Sequence, residues 1–258
     1  MHPGTSIKIE FLGHSTVLME LDGVRVLTDP LLRGGVGPLR RHPPAHDPIG
    51  GPIDVVLISH AHRDHLDLPS LRLLEGAPRV VVPRGLGSLL RRSGVRNVEE
   101  VAAEARIDLG GGVEAVAFPA LHDGSRPPFG PRADALGYVI EGSASAYFAG
   151  DTDLFPEMAL LRDRIDVALL PVWGWGPRLG PGHLDPERAA EATAMIRPRL
   201  AVPIHWGTLY PVGMHRVWPD RLVAPPLEFA RLVADADCPT EVRILSPGDW
   251  TTVSEERE

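Results

Sequence analysis

Short segments of β-branched and alternating hydrophobic residues dominate the first part of the chain. They lie at residues 7–12, 16–21 and 24–28 and are separated by Gly13-His14 and Asp22-Gly23. An Asp-Gly pair between two such segments is typical of a tight β-hairpin turn. The pattern therefore predicts three consecutive strands.

Continuous apolar runs replace this alternation further along the chain, as expected for strands that are buried on both faces. These runs and related strand patterns occupy residues 53–59, 79–83, 106–120, 137–149, 166–172, 200–204 and 241–245. Segments of helical composition separate them at residues 69–75, 85–92, 186–196 and 227–236. The third helix has the clearest start, because Asp185 can cap it and Pro186 suits its first turn.

The order of these elements predicts an α/β (α+β) fold. Two packed sheets with helices on their outer sides satisfy a chain that is strand-rich at first and then alternates strands with helices. No repeat, heptad run or linker divides the sequence, so we expect a single domain over residues 1–258. Residues 33–52 are rich in Gly, Pro, Arg and His and lack any period. They predict a long loop, for which a lid is one role.

The composition is that of an ordinary globular protein of 258 residues, with 43% hydrophobic and 23% charged residues. A chain of this size folds without disulfides, and Cys238, its single cysteine, is expected to be buried. One cysteine and no export-type N-terminus predict a cytoplasmic protein. No apolar run approaches the ~20 residues of a membrane span. The net charge of −8 argues against nucleic-acid binding.

The strongest chemical signal is the hexapeptide HAHRDH at residues 60–65, directly after a predicted strand. Three imidazoles and a carboxylate on one short loop held by a rigid element are typical of a metal site. His60 and His62 project to the same side of an extended segment and can reach one ion together. Asp64 and His65, further round the turn, are placed to reach a second ion.

Three more candidate ligands, His122, Asp151 and His205, each come shortly after a predicted strand. A lone histidine at a strand end is more often structural, and a His-rich solvated loop is the plain alternative for the hexapeptide. Three such positions beside the hexapeptide favour a metal site. Because the chain has one cysteine, imidazole and carboxylate must supply the ligands.

These motifs resemble the metallo-β-lactamase superfamily. The HxHxDH hexapeptide, His122, the turn Gly150-Asp151-Thr152 and His205 carry the resemblance. Four segments further resemble the branch of ascorbate-6-phosphate lactonases and N-acyl-phosphatidylethanolamine phospholipase D. They are Gly13-His14-Ser15-Thr16, Thr28-Asp29-Pro30, Ala149-Gly150-Asp151-Thr152 and Gly182-His183-Leu184-Asp185-Pro186. The resemblance covers residues 7–248 and implies a four-layer αββα sandwich with metals at one edge of the two sheets.

The resemblance also implies a complete ligand set for two metal ions. The first ion would be bound by His60, His62 and His122. The second would be bound by Asp64, His65 and His205. Asp151 would bridge both ions, and Asp29 would support the ligand loop. Zinc is the expected ion, with manganese and iron as alternatives that accept the same ligands.

Such a centre predicts a hydrolase. Two divalent ions about 3.5–4 Å apart share a water, lower its pKa and present it as hydroxide to an electrophile. Asp64 and Asp151 are then catalytic carboxylates as well as ligands. His183 and His14 are the candidate proton donors to the leaving group, because both lie in matched motifs without a ligand position. A structural hydrogen bond is the alternative role for each.

Substrate clues are fewer. Aromatic residues near these motifs either wall an apolar pocket or pin loops and subunit contacts. They are Trp173, Trp175, Trp206, Trp218, Tyr210 and Phe129. Arg126 and Arg132 are placed to steer an anionic group. The remaining cationic or titratable loop residues are expected to be solvated, namely Arg40, Arg41, His42, His46 and His215.

The predicted function is a dinuclear metal-dependent hydrolase that uses a metal-bridging hydroxide to cleave a phosphodiester or a lactone or ester bond. The expected substrate is a small-molecule or lipid-like compound that can carry an anionic group and an apolar portion. A nuclease is the alternative enzyme, disfavoured by the acidic balance. A non-catalytic metal-binding module and an iron redox protein are the possibilities outside hydrolysis. A homo-oligomer is compatible with the sequence.

Overall fold

The computed structural model describes residues 6–42, 49–176 and 179–254. The strands are β1 (Ser6–Gly13), β2 (Thr16–Leu21), β3 (Val24–Thr28), β4 (Gly35–Val36), β5 (Leu39–Arg41), β6 (Val55–Leu57), β7 (Arg79–Pro83), β8 (Val98–Val101), β9 (Arg106–Gly110), β10 (Val113–Pro119), β11 (Leu136–Glu141), β12 (Ser145–Phe148), β13 (Val167–Pro171), β14 (Leu200–Ile204), β15 (Leu209–Pro211), β16 (Glu241–Val242) and β17 (Trp250–Ser254). The α-helices are α1 (Leu68–Leu71), α2 (Gly87–Arg92), α3 (Pro186–Ile196) and α4 (Ala224–Asp235). Short 3₁₀ helices lie at Pro156–Leu161, Met214–Arg216 and Pro219–Leu222.

Two seven-stranded sheets form the body of the protein. The first has the order β17-β1-β2-β3-β6-β7-β8 and the second β16-β14-β13-β12-β11-β10-β9. Each sheet is antiparallel at one end and parallel at the other, where β3, β6, β7 and β8 or β12, β13, β14 and β16 run together. Parallel strands end at a common edge, so the loops that follow them are brought together.

Side-chain alternation sorts the first sheet into two faces. Val17, Met19 and Val26 point into the core shared with the second sheet. Their neighbours Leu18 and Leu27 instead pack on the opposite face. Leu71 of α1 and Leu90 of α2 cover that opposite face.

The second sheet is covered by α3 and α4, whose buried side chains belong to the larger core. Asp185 caps α3 by accepting a hydrogen bond from the backbone N–H of Arg188 at 2.9 Å, as the sequence predicts. The layer order is therefore helix, sheet, sheet, helix, and the predicted αββα sandwich is confirmed.

The main departure from the predicted elements lies at 33–52. Its described residues contain β4 and β5, which form a separate three-stranded sheet in which β5 pairs with both β4 and β15. Residues 43–48, and with them His46, lie outside the described residues. The sequence also missed β8 and β17, because Glu99-Glu100 and a polar surface interrupt their apolar patterns.

Two smaller differences concern the first helix and the cysteine. The helix expected over 69–75 is the shorter α1, which ends at Leu71. Cys238 is half-buried against the core, and its Sγ lies 3.4 Å from Thr240 Oγ1. In the described ranges, no helix has the length and apolar character needed to cross a membrane.

Candidate metal centre

The loop 60–65 leaves β6 at the common edge of the sheets and is held in place by backbone and side-chain contacts. The carbonyl of His62 accepts hydrogen bonds from the backbone N–H groups of His65 (3.2 Å) and Leu66 (2.8 Å). On the other side, Arg126 Nη1 donates to the carbonyls of Ala61 (2.8 Å) and Leu66 (2.9 Å). Hydrogen bonds within the protein therefore hold this turn.

Three more strand ends bring their polar residues to this loop. His122 follows β10, Asp151 follows β12 and His205 follows β14. Gly150 has φ +62°, and a Cβ at this position would lie 2.7 Å from Ser59 Cβ. Glycine is needed there because the two ligand loops approach more closely than a side chain allows.

The seven predicted ligands meet in one place. His60, His62 and His122 have ring nitrogens within 4.8 Å of one another. A second group with the same spacing contains Asp64, His65, His205 and also His14. Asp151 lies between the groups, with Oδ2 3.2 Å from His65 Nε2 and Oδ1 3.2 Å from His205 Nε2.

Hydrogen bonds at the back of three rings define which nitrogen faces the centre. His122 Nδ1 lies 2.7 Å from the Gly182 carbonyl, and His205 Nδ1 lies 2.7 Å from the Trp173 carbonyl. His65 Nδ1 lies 2.7 Å from Asp29 Oδ2. Carbonyl and carboxylate oxygens only accept, so each Nδ1 donates and Nε2 is the nitrogen of each ring that faces the centre.

These inner nitrogens lie close to one another. His65 Nε2 lies 3.1 Å from His205 Nε2, and His122 Nε2 lies 3.2 Å from His62 Nδ1. His60 Nε2 is buried with no hydrogen-bond partner among the described residues. A cluster of inward-facing nitrogen and carboxylate acceptors fits divalent cations, and backbone or carboxylate contacts on the outer nitrogens are the usual support of such ligands.

The electrostatics of the cluster agree with this arrangement. Burial lowers the pKa of His205 to about 3 and holds the pKa of His60 well below its usual value, so both rings are neutral at pH 7. Burial alone would lower the pKa of His65 as well, but Asp151 and Asp64 raise it well above its usual value. Without a metal ion, a proton on His65 therefore offsets the charge of the two carboxylates.

The two carboxylates are held ionised. Burial opposes ionisation of Asp64, but His65 and His14 lower its pKa well below the usual range. The pKa of Asp151 is likewise lowered against burial, by His205 and His65. Both side chains therefore keep the anionic form that a metal ligand requires.

Asp29 supports the ligand loop, as the sequence predicts. Its Oδ1 accepts a hydrogen bond from the Ser59 backbone N–H at 2.7 Å, and its Oδ2 accepts from Ser59 Oγ at 2.5 Å as well as from His65. Asp29, His14 and His205 have φ values of +35°, +57° and +61°, in the left-handed region. Such backbone is costly for these residue types and is concentrated where it positions functional groups.

The two predicted proton donors occupy different positions. His14 is 1% exposed, and its Nε2 lies 3.1 Å from Asp64 Oδ2, behind the ligands. The His183 side chain is 25% exposed, with Nε2 3.7 Å from Asp151 Oδ2. Its Nδ1 lies 3.2 Å from the carbonyls of Gly180 and Pro181, which leaves Nε2 toward the open side.

A cleft of about 400 Å³ opens over the cluster. Its polar floor consists of His62, Asp64, Asp151, His183 and His205. Apolar residues form the walls, namely Val36, Pro38, Leu39, Pro127, Trp175 and Leu179. Arg63 also lines the cleft. It lies between two predicted ligands of the hexapeptide, and no feature of the sequence indicates that its side chain faces the cleft.

The aromatic residues fall into both predicted roles. Trp175 lines the cleft and is 41% exposed. Trp173 and Trp206 are buried and pin their loops by donating to the carbonyls of Gly176 (3.1 Å) and Pro203 (2.9 Å). Phe129, Tyr210 and Trp218 are not among the lining residues of the cleft.

Several predictions for basic residues were wrong. Arg126 is buried in its bonds to the ligand loop and does not reach toward a substrate. Arg41 was expected to be solvated, but it is buried and donates to the carbonyls of Leu12 and Leu31. Neither contact is visible in sequence, since the partners are backbone carbonyls far along the chain.

The other predicted basic and titratable residues differ in exposure. Arg132 is exposed and lines a separate depression behind His122. His42 and His215 were expected to be solvated, but both are half-buried, with ring centroids 4.8 Å apart. Arg40 is accessible, and its Nη1 donates to the Gly37 and Leu39 carbonyls, both at 3.0 Å.

Comparison with known proteins agrees with this geometry. A sequence profile described as a Beta-lactamase superfamily domain matches residues 24–206, most of the chain. The chain belongs to this family. The predicted metallo-β-lactamase superfamily and its enzyme class, a hydrolase, are thereby confirmed. The narrower lactonase and phospholipase branch stays a prediction.

A relative in this superfamily is a UPF0173 metal-dependent hydrolase of Methanopyrus kandleri. It is 34% identical over 250 residues, which cover 94% of this chain and 98% of that protein. Among solved structures, a novel metallo hydrolase from Ignicoccus hospitalis has a TM-score of 0.73 at 26% identity, covering 97% of this chain and 100% of that one.

The same fold also occurs in a protein of different chemistry. The diiron β-hydroxylase CmlA of Streptomyces venezuelae superposes with a TM-score of 0.70 at 21% identity, over 98% of this chain and 55% of that one. At this identity the likeness concerns the fold alone. The reaction must therefore be argued from the residues of the site.

Proposed function

We propose that the cluster holds two divalent metal ions and that the protein hydrolyses a phosphodiester or a lactone or ester bond of a small-molecule or lipid-like substrate. The carrying observation is the convergence of ring nitrogens and carboxylate oxygens at one point, where the outer nitrogens of His65, His122 and His205 are hydrogen-bonded away from the centre. His60, His62 and His122 would hold one ion. Asp64, His65 and His205 would hold the other, with Asp151 between them.

When bound, two such ions supply an activated water and polarise the oxygen of the bond under attack. The chain contributes the positioning. Asp64 and Asp151 are held ionised and oriented by His14, His65 and His205. The reacting group of the substrate would lie at the polar floor of the cleft, which Asp64, Asp151 and His205 line. Zinc is the proposed ion because imidazole and carboxylate ligands suit it.

His183 is proposed as the proton donor to the leaving group. It lines the cleft beside Asp151, with which it clusters together with His122, and its side chain is 25% exposed. His14, buried behind Asp64, is proposed to position that carboxylate. The apolar walls favour a substrate with an apolar portion next to the bond that is cleaved.

The proposal is tested with purified protein loaded with zinc. We expect zinc to bind in a ratio near two ions per chain by elemental analysis, and the loaded protein to cleave bis-p-nitrophenyl phosphate or a member of a lactone panel. Asp64→Ala and His205→Ala should each lose zinc and abolish cleavage. His215→Ala, outside the cluster, is the matched control and should change neither. Activity that survives either ligand variant would contradict the dinuclear mechanism.

A further inference from the structure

Arg63 occupies an unusual position for a charged residue. It stands between His62 and Asp64 in the ligand loop, yet it is exposed and lines the cleft together with the apolar walls. Among the described lining residues of the cleft, it is the one lysine or arginine. A guanidinium is always charged at neutral pH and offers five N–H donors.

Other arginines around the cleft are already engaged by the protein. Arg33 makes a two-pronged ion pair with Asp67, with N–O distances of 2.8 and 2.6 Å. Arg41 and Arg126 are buried against backbone carbonyls. Arg63 differs, since its guanidinium makes no hydrogen bond or ion pair within residues 6–42, 49–176 and 179–254.

The nearby acidic groups do not neutralise Arg63. Asp64 and Asp151 are directed to His14, His65 and His205 in the floor of the cleft. Asp67 is satisfied by Arg33 and by the N-terminus of α1. The positive charge of Arg63 is therefore available at the rim of a largely apolar cleft, where an anion is less screened than in open water.

We infer that Arg63 is a specificity residue that binds an anionic group of the substrate, a phosphate, sulfonate or carboxylate outside the bond that is cleaved. The apolar walls take the hydrocarbon portion of the same molecule. The substrate class is then an amphiphilic anion. This inference rests on the proposed function for the identity of the cleft as the substrate site, and Arg63 takes no part in bond breaking.

The experiment compares two ligands of similar shape, one anionic and one neutral. In zinc-loaded protein, calorimetric titration measures binding of 4-phenylbutanesulfonate and of its neutral isostere, 4-phenylbutyl methyl sulfone. A sulfonate is a weak metal ligand, so its preference over the sulfone reports on Arg63 and less on the metal centre. We expect the wild-type protein to bind the sulfonate roughly twofold to fivefold more tightly, the range of an exposed ion pair.

Three variants decide the outcome. Arg63→Gln should remove the preference while leaving sulfone binding unchanged, and Arg63→Lys should keep part of it. Arg92→Gln, which removes an exposed arginine on α2 outside the cleft, should keep it fully. Equal binding of both ligands by the wild type, or an unchanged preference in Arg63→Gln, would overturn the inference.

Catalysis is assayed separately on the same samples. The protein could show a sulfonate preference that depends on Arg63 and yet cleave no ester or phosphodiester. That result would contradict the proposed reaction and support the anion site. Cleavage that depends on Asp64, with no effect of Arg63 on ligand preference, would support the proposed reaction and contradict the anion site. The two proposals therefore fail in different measurements.

Discussion

Asp29 shows how a single buried side chain defines the centre without reaching the cleft. Its two carboxylate oxygens accept hydrogen bonds from the Ser59 backbone N–H, the Ser59 hydroxyl and His65 Nδ1. These contacts set the orientation of the His65 ring and the start of the ligand loop. The backbone of Asp29 lies in the unfavourable left-handed region, and this conformation places the carboxylate next to both the His65 ring and the start of the ligand loop.

Asp29→Asn should weaken metal binding. The amide must present an N–H to either Ser59 or His65, both of which donate to the native carboxylate, so one contact becomes repulsive. We expect zinc affinity to fall by about 10- to 100-fold, measured by competition with a chromophoric chelator. Asp54→Asn is the control, because Asp54 accepts from the Arg25 backbone N–H away from the centre. Unchanged affinity in Asp29→Asn would contradict a positioning role.

His183→Ala tests the proposed proton donor at the same scale. We expect kcat to fall by about 10²- to 10³-fold while zinc content stays at the wild-type level, because a positioned acid contributes in this range. The loss should be larger for an alkoxide leaving group than for p-nitrophenolate, which leaves without protonation. Steady-state assays with both kinds of ester measure this difference, and an equal loss for both would assign His183 to binding.

At the level of elements, the small β4-β5-β15 sheet turns part of the 33–52 segment into a wall of the cleft. Val36 and Leu39 line the cleft from this sheet. The ion pair between Arg33 and Asp67 ties one end of it to α1, and the buried Arg41 ties the other end to β1. Residues 33–42 are thus a secured wall.

Asp67→Ala should affect both stability and the cleft. Asp67 caps α1 through the Ser70 N–H and also binds Arg33, so its loss removes the cap and frees the wall. We expect a loss of about 1–2 kcal/mol in the free energy of unfolding by urea titration, and a raised KM. Asp185→Ala removes the comparable cap of α3 and should lower stability without raising KM. A rise in KM in both variants would point to general destabilisation.

At the level of the whole molecule, two sheets deliver histidines and carboxylates to one edge, and this concentrates groups that are unfavourable without a cation. The rings of His60 and His205 are neutral when folded, whereas in the unfolded chain they take up protons below about pH 6.5.

The single domain and the cytoplasmic location stay predictions at this scale.

Removal of the metal should therefore make stability depend on pH. Between pH 6.5 and 3, the unfolded state of the metal-free protein binds more protons at His205, so the free energy of unfolding falls as the pH falls. At pH 5 this single group costs about 2 kcal/mol. His65, whose pKa is raised, keeps its full contribution below pH 6.5 and loses it only as the pH rises. Asp64 and Asp151 keep theirs above their ordinary pKa.

Scanning calorimetry at pH 7 and pH 5 measures this dependence. We expect the Tm of the metal-free protein to fall by about 5 °C between these values. The zinc-loaded protein should have the higher Tm at pH 7, because a ligand that binds only the folded state stabilises it. A metal-free protein whose Tm is constant or rises on acidification would contradict the neutral, buried state of these histidines.

The sequence by itself determined most strands and helices of the two large sheets, and its resemblance to the metallo-β-lactamase superfamily implied the sandwich and the set of seven candidate ligands. The reason is local: the ligands follow strand ends, and strands of one sheet end at a common edge. Apolar period and the HxHxDH spacing both act over a few residues, so both are visible in one dimension.

Only the tertiary structure decided how the surrounding residues are used. Arg41 and Arg126 bind backbone carbonyls, β5 pairs with the distant strand β15, and His14 lies behind Asp64. Each of these depends on which distant atoms meet after folding, and a charged residue carries no local sign of its partner. Arg63 belongs to the same class: its sequence position is inside the ligand motif, and its place at the cleft follows from the packing around it.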